Sequence, residues 1–399
     1  MKLINKRIEL KGRIQIIGIL ILLSIHTILN SCDNKQRDSD TLTLDLANHP
    51  IYSRYNFERN DKFINIGIQP LYLPTGIIFE AIKRDNILVY ELSRLNKEIR
   101  CFPFLKGADV NVFLQKNLLD GGIGGDMPAL SAAAILDLVI PIKLQMGQAS
   151  IVSAKPMLTN DMRGKRIAYP LGSISHYFVL DLLQDAGISQ DQVTLLPMDV
   201  SAMAGALAKG EIELFSAWEP IVASAIKENP GLFVTYQNST SGYLYFRQAF
   251  IESHEDVSSY ILAAVIRSIK RMKNNRPFLR QACQWNLAAM ESLTGQKINL
   301  TANELAALAQ KDILQYTTLI NAIVISDLEL QENNRLNIEF EFLQLLNEIP
   351  LATAWAGVRS SFDNHLILSI LNNPKKYRTD EFNYQTMSGD LDSTVAINY

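Results

Sequence analysis

The sequence predicts an α/β fold with a parallel sheet, and one stretch carries most of that prediction. From Gly164 to Ser224 the pattern runs strand, helix, strand, helix, strand, and glycines stand where the helices stop. Such alternation marks parallel strands joined by crossover helices, whose ligands sit beyond the carboxyl ends of the strands. A second observation is length: about 290 residues from Phe63 to Asn347 keep up the alternation, enough to divide into two lobes. A third is a pair of small-residue turns, Gly172–Ser175 and Gly121–Asp126, each leading from a strand into a helix.

Taken in order, residues 1–31 stand apart from the fold. Lys2, Lys6, Arg7, Lys11 and Arg13 form a basic start, and Ile16–Ile25 is an apolar core of about ten residues, short for a spanning helix. Leu29-Asn30-Ser31-Cys32 resembles a bacterial lipobox, which implies a signal peptide over 1–31 and lipidation of Cys32. A plain signal peptide or an uncleaved anchor is the alternative. The whole chain has 38 basic and 41 acidic residues. Without 1–31 there remain 33 against 40, a net charge of −7. That balance argues against nucleic acid or anionic lipid as a partner. Residues 32–60 read as a polar tether. Cys101 and Cys283 could pair in an oxidising compartment or remain free thiols, and no zinc-type cysteine spacing exists.

Residues 61–150 form the first part of lobe 1. Phe63–Ile68 is an apolar run that reads as a buried strand, ended by Gln69-Pro70-Leu71. A helix is expected from Thr75 to Lys83, a strand at Ile99–Pro103 and a helix at Val110–Leu118. Gly121–Gly125 is a glycine-rich strand, followed by a helix beginning near Pro128, since proline suits the first helical position. Strands at Leu138–Leu144 and Ala149–Ser153 lead into lobe 2, residues 151–245. There Arg166–Tyr169 is a strand, and Phe178, Val179, Leu182, Leu183 and Ala186 share one helical face before Gly187. A strand at Val193–Leu196, a helix at Ser201–Lys209 and a strand at Ile212–Phe215 follow. Gly242–Ile251 reads as a strand returning to lobe 1, and residues 246–349 are otherwise helical, with Ser258–Met272 the clearest helix. Residues 350–399 form an extension with a short helix at Leu366–Leu371 and a polar, mobile end from Lys375.

The chemistry-bearing residues favour binding over turnover. His176 follows two serines at a helix start, yet no acidic residue stands by to orient it, and packing of the helix start is the simpler role. No HExxH, carboxylate cluster, P-loop or GxGxxG appears, and neither a cofactor nor a metal is expected. Ser173 and Ser175 offer hydroxyls and backbone N–H groups to an anion, or else cap their own helix. Gly125 and Asp126 offer the same on the other wall, where Asp126 could equally be a helix cap. Trp218 is a cleft wall or a core residue.

Together GKRIAYPLGSISHYFVLDLLQDAGIS, ALAKGEIELFSAWEP, DGGIGGDMPAL and IGIQP resemble the substrate-binding proteins of nitrate, sulfonate and taurine ABC transporters, over about Phe63 to Leu346. The resemblance implies a type II periplasmic-binding fold: two α/β lobes, a hinge and a cleft that closes on ligand. It implies Gln69, Pro70, Leu71, Gly125, Asp126, Ser173, Ser175, His176 and Trp218 as ligand-binding residues. It also implies a monomeric, non-enzymatic lipoprotein, exported and facing the periplasm or cell exterior, that delivers a small anionic solute to an inner-membrane permease. Leu71-Tyr72-Leu73-Pro74 and the paired glycines before Asp126 depart from the family pattern and favour an organic ligand over inorganic nitrate. A ligand-sensing receptor of the same fold, or a binder of a thiamine-pyrimidine precursor, is the alternative.

Overall fold

Four strands open the chain order: β1 (Phe63–Ile68), β2 (Glu98–Pro103), β3 (Gly121–Gly125) and β4 (Leu138–Ser153). Four more follow: β5 (Arg166–Tyr169), β6 (Thr194–Pro197), β7 (Leu214–Trp218) and β8 (Phe233–Arg247). In this computed structural model, which describes residues 46 and 48–385 apart from 317, they form one sheet in the order β2-β1-β3-β8-β4-β7-β5-β6. The expected signal segment, Cys32, most of the tether and residues 386–399 lie outside the described residues.

The sheet has two parallel ends. In the first half β1 pairs in parallel with β2 and β3, and in the second β5 pairs in parallel with β6 and β7. Strands covered on both faces need apolar side chains at nearly every position, which is why FINIGI and RIAY read so clearly. The halves are joined by β4 and β8, which pair antiparallel from Leu138↔Arg247 to Ser153↔Phe233. The far end of β8 pairs with β3, and the far end of β4 pairs with β7.

Two expectations fail at these crossings. Leu138–Leu144 and Ala149–Ser153 are the ends of one strand, because the polar residues between them cross from one half to the other without breaking the ladder. The returning strand starts at Phe233 rather than Gly242 and stops at Arg247, so Gln248–Ile251 belongs to a helix. Its first seven residues, FVTYQNS, mix apolar and polar side chains because that stretch is largely exposed.

Helices cover the sheet. In the first half they are α1 (Thr75–Ile82), α2 (Asn86–Arg94), α3 (Gly107–Gln115) and α4 (Asp126–Ile135). The sequence reading has no counterpart for α2, which Asp85 caps by accepting from the N–H groups of Ile87 and Leu88. Helix α3 starts three residues before the expected Val110, and α4 starts before Pro128, at Asp126. The second half has α5 (Ile174–Asp185), α6 (Val200–Ala208) and α7 (Ile221–Glu228). Gly187 and Gly210 take positive φ just beyond α5 and α6, as the sequence predicts.

After β8 come α8 (Gln248–Ser253), α9 (Glu255–Asn274), α10 (Arg276–Thr294), α11 (Ala302–Ala309) and α12 (Leu319–Ile323). The chain then forms α13 (Arg335–Leu345), α14 (Trp355–Ser360) and α15 (His365–Asn372). Residues 375–385, expected to be mobile, lie against α9 and α2 instead. Arg267 on α9 donates to the Tyr377 carbonyl, Lys270 pairs with Asp380 at 2.7 Å, and Tyr384 packs on Phe278. Most of these contacts are ionic or backbone-mediated, so the segment carries little apolar pattern. Cys101 and Cys283 are both free, and burial pushes each thiol up to about 12.

The buried pair between Arg267 and Asp85, at 2.7 Å, ties α9 to the cap of α2. Removing one partner of such a pair leaves an uncompensated buried charge, so Arg267→Met should cost about 3–5 kcal/mol in urea unfolding. A loss below about 1 kcal/mol would show that the pair is not a structural tie.

Candidate functional site

Strands β1 and β3 of the first half and β5 and β7 of the second all end at the same place. Parallel-sheet proteins bind ligands beyond such carboxyl ends. Here the ends enclose a small cavity of about 20 Å3. The first half contributes Gln69 and Tyr72 after β1, Lys106, Gly107 and Ala108 at the start of α3, and Gly125 and Pro128 at the start of α4. The second half contributes Leu171, Gly172, Ser173 and Ile174 at the start of α5, and Trp218 at the end of β7. A much wider depression of about 830 Å3, bordered by Asp137, Arg247 and Val358, lies away from these strand ends.

The two walls touch. Trp218 Nε1 donates to the Leu71 carbonyl at 2.8 Å, and the Leu73 N–H donates to the Glu219 carbonyl at 3.2 Å. The Tyr72 and Trp218 rings meet edge to face at 5.8 Å. Gly172 has φ +72°, and a Cβ added there would make ordinary contact with the Ala108 methyl at 3.5 Å. Only glycine takes this backbone conformation without strain.

Three helix N-termini surround the cavity: Gly107 of α3, Gly125 before α4, and Ser173 before α5. Their leading N–H groups have no partner within the helix, and each end carries about half a positive charge. Gly107 permits the crowding, since a Cβ there would meet Pro128 at 2.9 Å and Gly124 at 3.0 Å.

Of the sequence-derived residues, Gln69, Gly125, Ser173 and Trp218 line the cavity. Gln69 Nε2 donates to the Ile123 carbonyl at 2.6 Å, which holds its amide in place. Ser173 is the N-cap of α5: its hydroxyl accepts from the His176 N–H at 3.3 Å and donates to the Pro170 carbonyl at 2.6 Å. The others are near but not on the cavity wall. Pro70 and Leu71 contribute backbone carbonyls, to Asn286 and Trp218 respectively. Ser175 is fully buried, and its hydroxyl has no hydrogen-bond partner among the described residues. His176 stacks on Tyr169 with centroids 4.4 Å apart, and burial lowers it to about 4.

Asp126 turns away from the cavity altogether. Its carboxylate meets Arg335 of α13 at 2.6 Å and accepts from the Ser241 N–H at 2.7 Å and the Thr240 hydroxyl at 3.2 Å. Tyr243 donates to its other oxygen at 3.3 Å. Lys106, Gly107 and Ala108 were not singled out from sequence. A lysine just past the end of a predicted strand was the available signal, but with the helix expected at Val110 it fell in mid-loop.

Known proteins share this fold. Residues 152–276 match the family model described as NMT1/THI5 like. Over 184 residues the chain is 26% identical to the taurine-binding periplasmic protein of Escherichia coli (strain K12), covering 44% of this chain and 57% of that one. The chain spans about half the length of the curated relatives it matches first. The crystal structure of the periplasmic aliphatic sulphonate binding protein SsuA from Escherichia coli superposes with a TM-score of 0.56 at 18% identity, covering 77% of this chain and 100% of that chain. The alkanesulfonate-binding protein SsuA from Xanthomonas axonopodis pv. citri bound to MOPS gives 0.56 at 16% identity, over 75% and 99%.

The low value for His176 has a measurable consequence. Below about pH 6.5 the unfolded chain takes up a proton at this residue that the folded chain refuses until about pH 4, so stability falls across that window. His176→Gln should reduce the stability difference between pH 7 and pH 4 by about 3 kcal/mol in urea unfolding. An unchanged difference would mean that the ring is not held neutral against Tyr169. The described body thus has the type II periplasmic-binding fold of the sulphonate-binding proteins, and its residues 152–276 match the NMT1/THI5-like family.

Proposed function

We propose that the chain is an exported solute-binding protein that captures a small organic anion, a sulfonate, and presents it to an ABC permease without turning it over. The observation that carries this reading is the convergence of three helix N-termini on one cavity between the two halves. Such ends hold oxyanions through backbone N–H groups and the helix dipole, with no chemistry required. The relatives named for taurine and aliphatic sulphonates favour the same ligand class. The lining residues supply neither a histidine nor a carboxylate that could act as a general base.

At about 20 Å3 the cavity has room for roughly one water, so entry of a sulfonate requires the walls at Gly172 and Ala108 to separate. The crossings β4 and β8 are the hinge in this reading. Their pairing shifts register between Lys143 and Gln145, and the adjoining Met146–Gln148 is among the less covered stretches of β4. Shifted, partly exposed pairing is where such a ladder can bend. Cys32 anchors the protein to the membrane by its lipid, and the closed form is what the permease reads.

A calorimetric and thermal-shift panel of alkanesulfonates, taurine, nitrate and pyrimidine precursors tests the ligand class. A ligand at about 100 times its Kd should add about 2.7 kcal/mol of stability. Response to pyrimidines alone would move the ligand to the thiamine-precursor class, and no response to any sulfonate would sink this reading. For the anchor, Cys32→Ala should abolish labelling by a fatty-acid analogue and release the protein from the membrane fraction; persistent labelling would refute lipidation there.

A further inference from the structure

The charge of the cavity wall constrains the other end of the ligand. Among the described residues that line the cavity, Lys106 is the one cation and none is a carboxylate. Three acids close in sequence to the lining residues already have partners. Asp109 accepts from the Tyr52 hydroxyl at 2.7 Å and lies 3.7 Å from the Lys106 ammonium. Asp126 is held by Arg335, Ser241 and Thr240. Glu219 accepts from the Ala223 N–H at 3.0 Å in the first turn of α7. A second charged group on the ligand would therefore meet three positive helix ends, a lysine, and the apolar surfaces of Tyr72, Pro128, Leu171, Ile174 and Trp218.

We propose that Lys106 is the charge-selecting residue of this cleft, and that the site takes a monoanionic sulfonate with an uncharged apolar tail and rejects a zwitterion such as taurine. The proposal rests on the sulfonate reading above. Its physics is desolvation: an ammonium taken from water into this cleft gains no unpaired counter-charge, whereas a methyl group in the same place gains apolar contact. Lys106 suits the role because it precedes α3 at the cavity edge, with its side chain 24% exposed. It can approach a sulfonate from the mouth without being buried alone, because the Asp109 carboxylate forms an ion pair with it at 3.7 Å, longer than a direct hydrogen bond.

The test uses two near-isosteres, 1-propanesulfonate and taurine, which differ by a methyl against an ammonium group. Calorimetry on the unaltered protein should give a Kd for 1-propanesulfonate at least about tenfold lower than for taurine. Lys106→Gln should weaken 1-propanesulfonate by about tenfold with an unchanged melting temperature. Lys106→Glu, which supplies a carboxylate, should shift the ratio of the two affinities toward taurine. Equal or tighter binding of taurine by the unaltered protein would overturn the ligand class proposed here. Unchanged affinity in Lys106→Gln would overturn the role of Lys106. Failure of the unaltered protein to bind either compound would instead remove the sulfonate reading, and this inference with it.

Discussion

The whole arrangement depends on two strands being long enough to belong to both halves. Strands β4 and β8 share an antiparallel ladder along their whole length at the centre of the sheet, so the parallel blocks on either side are held by backbone hydrogen bonds. That ladder sets how close β1 and β3 come to β5 and β7, and so whether a cavity exists at their ends. Its polar residues are tied down from outside the sheet. Lys143 pairs with Glu329 at 2.8 Å, and the Met146 N–H donates to Asp312 at 2.7 Å. Burial pushes the Asp312 carboxyl up to about 7, against the pull of the Met146 and Ile313 N–H groups that it accepts from. The residues after β8 therefore hold the crossings as well as covering them.

The Asp126–Arg335 pair shows how the charge balance of the cleft is made. An acidic residue in the first turn of a helix normally sits by the positive helix end and neutralises part of it. In α4 the Asp126 carboxylate is drawn to the opposite side by Arg335, Ser241 and Tyr243. Arg335 also meets Glu339 at 3.0 Å and donates to the Ser241 hydroxyl at 2.8 Å. The helix end that faces the cavity keeps its backbone N–H groups for whatever enters.

What the sequence disclosed follows the same physics. Phe63–Ile68 and Arg166–Tyr169 were legible because strands covered on both faces admit few polar residues. The first half of β8 was not, since an exposed strand such as VTYQNS obeys no apolar period. Gln69, Gly125, Ser173 and Trp218, which line the cavity, could be singled out because each ends or follows a strand. Lys106 was missed because Gly107, a poor helix former, begins α3 and disguised its start. Asp126 was recognised as a helix-start residue, but its orientation is set by Arg335, 209 residues away in the chain, and no local pattern reports that.

Closure and affinity are linked through the dielectric. Partial charges at three helix ends attract an anion weakly while water fills the space between them, and far more strongly once it is excluded. Contacts across the cleft, Trp218 to Leu71 and to Tyr72, perform that exclusion. They are made by residues on or beside the cavity wall rather than by a remote lid. A sulfonate that lies between them would be held by the act of closing, and a tail that keeps the walls apart would weaken its own electrostatic grip. Selectivity for tail size thus comes from the same contacts that make the helix ends effective.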